Sequence, residues 1–154
     1  MNAASGRKLY ADSLSLLTDL YQLTMAYGYW KSEMANREAI FCHSFRTLPF
    51  RGGYAVACGM GSLAEYLHSF TFDPSDLAYL ETLEGHDGER LFELGFLDFL
   101  DSSLLQCQVD AVPEGTVVFP HEPVIRVQGP IWQAQILETA ILNIVNFQTL
   151  IASK

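Results

Sequence analysis

From Ile131 to Lys154 the chain runs without a glycine or a proline, and its only charged residues there are Glu138 and Lys154. Apolar residues recur at helical spacing throughout, so the segment reads as one long helix. Gln135, Glu138, Thr139, Asn146 and Thr149 fall on one side of it. A solvated helix face normally carries Lys and Glu pairs. A polar stripe with almost no charge instead predicts a helix enclosed by protein, its polar groups satisfied internally. After Ile151 there is no glycine, proline or evident C-cap. The expectation is that the enclosing residues lie outside this chain, which would make it the front portion of a longer polypeptide.

The segment from Leu16 to Tyr27 predicts a second helix, with an aromatic ring in its first turn. Asp19 suits the N-cap, and Gln22 stands three residues on, as a capping box requires. Leu16, Leu20, Leu23, Tyr27 and Trp30 recur as the expected buried stripe. Tyr21 sits near the helix N-terminus, where free N–H groups and the dipole favour an anion. A flat ring there suits a small aromatic acid. On spacing alone, an amphipathic core helix with a surface tyrosine is the plainer reading.

The length of 154 residues is enough for one domain with a core of its own, and 49% hydrophobic against 18% charged residues is a globular composition. No apolar run approaches the roughly 20 residues of a membrane-spanning helix. Met1 to Ala11 is polar, carries Arg7 and Lys8, and lacks the apolar centre of a secretory signal. Cys42, Cys58 and Cys107 are odd in number and flanked by apolar residues. They predict buried thiols in a reducing compartment, with no disulfide framework and no metal site. These features imply a soluble cytoplasmic protein.

The net charge is −9, and the segment from Asp73 to Asp110 carries ten acids against the single base Arg90. That segment alone accounts for the excess. Nucleic acid requires a basic footprint, so such a partner is not expected. An acidic solvated helical surface is the ordinary explanation.

Between the two helices, Glu38 to Arg46 predicts a strand with Phe41, His43 and Phe45 on the core face. Ile40, Cys42, Ser44 and Arg46 share the other, so that Arg46 emerges at the strand's end. Thr47 to Tyr54 is a loop containing Gly52 and Gly53; Ala55–Ala57 suits a short strand and Met60–Phe70 a helix. A further helix starts near Asp73, with Leu77, Leu80 and Leu83 at its apolar positions, and Leu91–Leu105 is again helical. From Gln106 the period changes to short β-like runs at 108–112, 116–119 and 123–128, ended by Gly129-Pro130.

Four stretches in this order resemble the N-terminal part of a nicotinate phosphoribosyltransferase. They are LLTDLYQLTMAYGYW at 16–30, FR…PFRGGYAVACG at 45–59, VPEGTVVFPHEPVIRVQGP at 112–130 and ETAILNIVNFQTLIASK at 138–154. The resemblance implies an α+β fold, the N-terminal α+β domain of a type II phosphoribosyltransferase, followed by the start of an α/β barrel truncated here. Residues 1–12 would be a flexible tail, 13–130 the α+β domain, and 131–154 the helix leading into the barrel. The implied reaction joins nicotinate to 5-phosphoribosyl-1-pyrophosphate with ATP hydrolysis, giving nicotinate mononucleotide and pyrophosphate on the way to NAD. Family members work as homodimers, with Mg2+ held mainly by the portion absent from this chain.

The resemblance also implies roles for four residues. Tyr21 matches the tyrosine that stacks on the pyridine ring in the partner subunit's site. Arg46 matches an arginine on the 5′-phosphate, also across the interface; taken by itself, a strand-end ion pair is the plainer reading. Asp19 matches an acid near the site, although capping alone explains it. Arg51 beside Gly52-Gly53 is either an anion-binding turn or an ordinary loop residue. None of His43, His68, His86 and His121 has the spacing of a catalytic base, and no catalytic residue is assigned. Two other readings stand beside this one. One is a non-catalytic interaction module pairing with a barrel-bearing chain, and the other an independent domain binding small acids.

Overall fold

The computed structural model describes residues 14–154; the tail expected over 1–12 lies outside them. Five helices and five short strands follow in the order α1 (Leu20–Lys31), β1 (Glu38–His43), β2 (Ala55–Val56), α2 (Met60–His68), α3 (Pro74–Glu81), α4 (Leu94–Asp101), β3 (Gln108–Ala111), β4 (Val117–Val118), β5 (Ile125–Pro130) and α5 (Ile131–Ala152). The mixed α+β class is the one the resemblance implied.

Strand β5 is the centre of an antiparallel sheet of order β1-β5-β3, while β2 and β4 pair separately. Gly129-Pro130 does not end the β region as expected. Both residues belong to β5, opposite Ala39 and Glu38. A Cβ on Gly129 would stand 2.9 Å from the Cys107 Cα, so only glycine lets the two backbones cross this closely.

In β1 the expected alternation is present. Ile40 and Cys42 are exposed, while Phe41 and His43 turn inward. The strand stops at His43, three residues earlier than expected. Its register with β5 would place Phe45 opposite Pro123, which has no N–H to donate. The chain continues instead through two single bonds, from Val124 N–H to the His43 carbonyl and from His121 N–H to the Phe45 carbonyl, each at 2.8 Å. Arg46 therefore sits in a loop.

Helix α5 is the spine of the fold, packing on α1, α2, β1, β2 and β5. The consecutive residues Trp132 to Leu137 are all buried, which means the helix is covered on every side there. Ala134, Leu137, Ala140, Ile141 and Val145 join one cluster with Leu63, Tyr66 and the inward residues of both sheets. Trp132 and Ile136 join the other, with Leu23, Ala26, Leu80 and the aromatic residues around α4. Fully burying Ile136 and Leu137 contributes on the order of 2 kcal/mol each.

Enclosure of α5 was expected from residues beyond this chain; over its first half the chain itself supplies it. The last turns differ, for Phe147, Leu150 and Ile151 are exposed. Leu20, expected in the buried stripe of α1, is also exposed; Leu23 is buried as expected, and Gln22 and Ala26 are buried beside it. The face that meets α5 is centred on a polar residue, which apolar spacing does not reveal. The cysteines differ as well, since Cys42 is exposed and Cys58 and Cys107 only half-buried. Burial raises the Cys107 thiol to about 11.

Candidate functional site at the crossing of α1 and α5

Asp19 is extended and N-caps α1, with Gln22 in the expected capping-box arrangement. The Asp19 N–H donates to Gln22 Oε1 at 3.2 Å. Its carboxylate also accepts from the Thr139 hydroxyl at 2.8 Å, tying the start of α1 to α5. Gln22 is fully buried. Its oxygen also accepts from the Thr18 hydroxyl and lies 2.8 Å from the same Thr139 hydroxyl, whose single proton is shared between it and Asp19. Its amide nitrogen donates to Glu138 Oε2 at 3.2 Å and to the Tyr21 hydroxyl at 3.3 Å. A buried amide this fully satisfied is stabilising, where an unsatisfied one would be costly.

Tyr21 follows at the helix end with 49% of its surface exposed. Its hydroxyl is 3.4 Å from Glu138 Oε2, a long contact. Partial desolvation and the Glu138 carboxylate together raise its pKa above the ordinary tyrosine value. The ring is thus half-exposed, with its hydroxyl held at Glu138 and Gln22.

Glu138 also lines a cleft of about 670 Å³ between α5, from Ala134 to Leu150, and the segment from β1 to Pro49. His43, Arg46, Asn146 and Thr149 line it too. Among the described residues the Arg46 guanidinium forms no ion pair. The strand-end ion pair is therefore not made, leaving a cation free at the cleft. Glu138 thus meets Tyr21 and lines the same cleft as Arg46. Arg51 is placed differently. It sits on a short 3₁₀ turn (Pro49–Arg51), exposed, at φ 55°, and does not line the cleft.

Two cleft residues carry no role in the sequence reading. His43 has its Nε2 buried without a partner, and burial lowers its pKa. Glu138 was one of five polar positions on a stripe, and its being the only acid there was the available signal. Among the described residues no group of three or more His, Cys, Asp or Glu side chains is placed to hold a metal ion. Nor is any helix of the described residues long and apolar enough to cross a membrane.

Residues 16–146 match the family described as the nicotinate phosphoribosyltransferase (NAPRTase) N-terminal domain. The chain belongs to that family. It is 46% identical over 143 residues to a nicotinate phosphoribosyltransferase of Bacillus subtilis (strain 168), covering 93% of this chain and 28% of the relative. A nicotinate phosphoribosyltransferase of Caenorhabditis elegans is 39% identical over 138 residues, with 90% and 24% covered. Among solved structures, the crystal structure of human nicotinic acid phosphoribosyltransferase superposes with a TM-score of 0.77 at 35% identity. That superposition covers 89% of this chain and 27% of the human one. The chain thus spans about a quarter of the length of the nicotinate phosphoribosyltransferases it matches.

Proposed function

We propose that this chain supplies part of the active site of a nicotinate phosphoribosyltransferase, and that polypeptide outside residues 1–154 completes it. The observation that carries this reading is the exposed Tyr21 ring held at Glu138 and the unpaired Arg46 in the cleft that Glu138 lines, in a chain of this family. Tyr21 stacks on the pyridine ring of nicotinate, which contributes on the order of 1 kcal/mol and fixes the ring plane. Arg46 takes the 5′-phosphate of phosphoribosyl pyrophosphate with two parallel N–H bonds. Asp19, the acid near the site, holds α1 against α5, and Arg51 lies outside the cleft on an exposed turn beside it in sequence.

In the reaction the ring nitrogen of nicotinate donates its lone pair to C1 of the ribose. The bond from C1 to pyrophosphate breaks, and its electron pair leaves with the pyrophosphate. Catalysis consists largely of orienting the flat nucleophile, clamping the phosphates and excluding water. The energy of ATP hydrolysis, the magnesium ion and the closure of the homodimeric site belong to the remaining polypeptide. The proposed setting is NAD synthesis in the cytoplasm.

The test is turnover of nicotinate to its mononucleotide, with phosphoribosyl pyrophosphate and ATP present. The 154-residue chain alone is expected to be inactive, and joined to a complementing barrel portion to be active. Robust turnover by the chain alone overturns the shared site. Unaltered turnover by Tyr21→Ala in the assembly overturns the stacking role.

A second reading, a non-catalytic module that pairs with a barrel-bearing chain, is favoured by Phe147, Leu150 and Ile151 at the exposed end of α5. Size-exclusion chromatography with and without such a chain separates the two readings, since the module co-elutes but adds no turnover.

A further inference from the structure

Glu138 Oε2 collects three donors: the Tyr21 hydroxyl at 3.4 Å, Gln22 Nε2 at 3.2 Å and Gln135 Nε2 at 3.1 Å. The Gln22 amide orientation is dictated by its surroundings. Its oxygen must meet the Asp19 backbone N–H, so its nitrogen must face Glu138. Gln22 and Gln135 are both buried. Two amides therefore fix the carboxylate, and the fixed carboxylate in turn fixes what reaches it from outside. An ionised carboxylate only accepts, which leaves the phenol the donor's part.

We propose that Glu138 is a positioning residue for Tyr21, committing its hydroxyl as a donor and so setting the ring plane that a flat ligand meets. The proposal rests on the reading that Tyr21 stacks on the pyridine ring. It adds a reason for the carboxylate. A phenol that donates to an anion has a more electron-rich ring, and the face of such a ring attracts positive charge. Gln22 Nε2, 3.3 Å away, donates to the same hydroxyl and acts in the opposite sense, while Asp19 places a second negative charge near it, so that the carboxylates prevail. The pyridine nitrogen of nicotinate is neutral before transfer and positively charged once bonded to C1. The Tyr21 face thus holds the ring more strongly as the reaction proceeds. An interaction of that kind raises kcat and leaves KM nearly unchanged.

The test has two arms. In the first, tyrosine ring carbons are labelled in the 154-residue chain, and Tyr21 is assigned by its disappearance in Tyr21→Phe. Tyr21 is expected to titrate above free tyrosine and to move down in Glu138→Gln. Wild-type Tyr21 titrating as free tyrosine does overturns the proposal, whether or not the variant folds. The second arm uses the assembly competent for turnover. There Glu138→Gln is expected to lower kcat about fivefold, with the KM for nicotinate within about twofold, and to add nothing in a Tyr21→Ala background. An equal loss in both backgrounds overturns the proposal. Failure of every assembly to turn over sinks the phosphoribosyl reading instead, while the first arm still decides the contact.

Discussion

Thr149 and Cys58 form a reciprocal pair: the Cys58 N–H donates to Thr149 Oγ1 at 3.0 Å, and the same hydroxyl donates to the Cys58 carbonyl at 3.1 Å. One side chain near the end of α5 therefore satisfies both main-chain groups of the residue that leads into α2. Gly59 follows at φ 103°, and a Cβ there would meet the Ile144 carbonyl at 3.1 Å. Close approach of two backbones and a buried hydroxyl fix this corner together. Thr149→Val keeps the shape but removes both bonds. It is expected to destabilise the chain by about 1–3 kcal/mol, read as a lower urea midpoint with unchanged slope; Thr149→Ser is expected to recover most of that loss.

Glu114 reaches the same corner from the turn before β4. Its carboxylate accepts from the Gly59 and Met60 N–H groups at 2.9 and 2.8 Å, capping α2, and from the Cys58 thiol at 2.9 Å. The hydrogen bond to Glu114 raises the thiol pKa, and the same bond lowers that of Glu114. Glu114→Gln is expected to increase the alkylation rate of Cys58 at pH 8, because more thiolate is present. Peptide mapping after timed iodoacetamide treatment separates Cys58 from the exposed Cys42. An unchanged Cys58 rate contradicts the assignment.

His43 makes an edge contact with Phe45, its ring centroid 5.1 Å away, and its Nε2 has no partner. Burial lowers its pKa below the unfolded value near 6.5. Above that value His43 is neutral in both states and makes no difference to stability. As pH falls from about 6.5 towards the folded pKa, the unfolded chain takes up a proton that the folded chain resists, and stability is lost. His43→Phe is expected to flatten this part of the profile. The check is the difference in urea midpoint between pH 7 and pH 5, compared for the two proteins.

Arg46 is exposed and unpaired, so Arg46→Lys is expected to change folding stability by less than about 0.5 kcal/mol. In the assembled enzyme the same change is expected to raise the KM for phosphoribosyl pyrophosphate about tenfold, because an ammonium cannot reproduce the planar two-point contact. A KM within a factor of two of wild type removes Arg46 from phosphate binding.

What the sequence determined by itself is local or periodic. The Asp19–Gln22 capping box, the inward face of β1 and the Asp73 cap of α3, which accepts from the Ser75 and Asp76 N–H groups, all follow from neighbours a few residues apart. The uncharged stripe of α5 also announced internal satisfaction, and Thr139, Gln135 and Thr149 are bonded inside the fold. Tertiary structure decided the rest. Leu20 lost its place at the α5 contact to Gln22 because Glu138 and Thr139, more than a hundred residues away, satisfy that amide. Pro123 across the sheet ended β1 before Arg46 and left the guanidinium at a cleft. Tyr21 and Glu138 meet only because α1 crosses α5. Periodicity records which side of a helix is buried, but the partner that makes a buried polar group affordable is chosen by the crossing, and no local spacing encodes it.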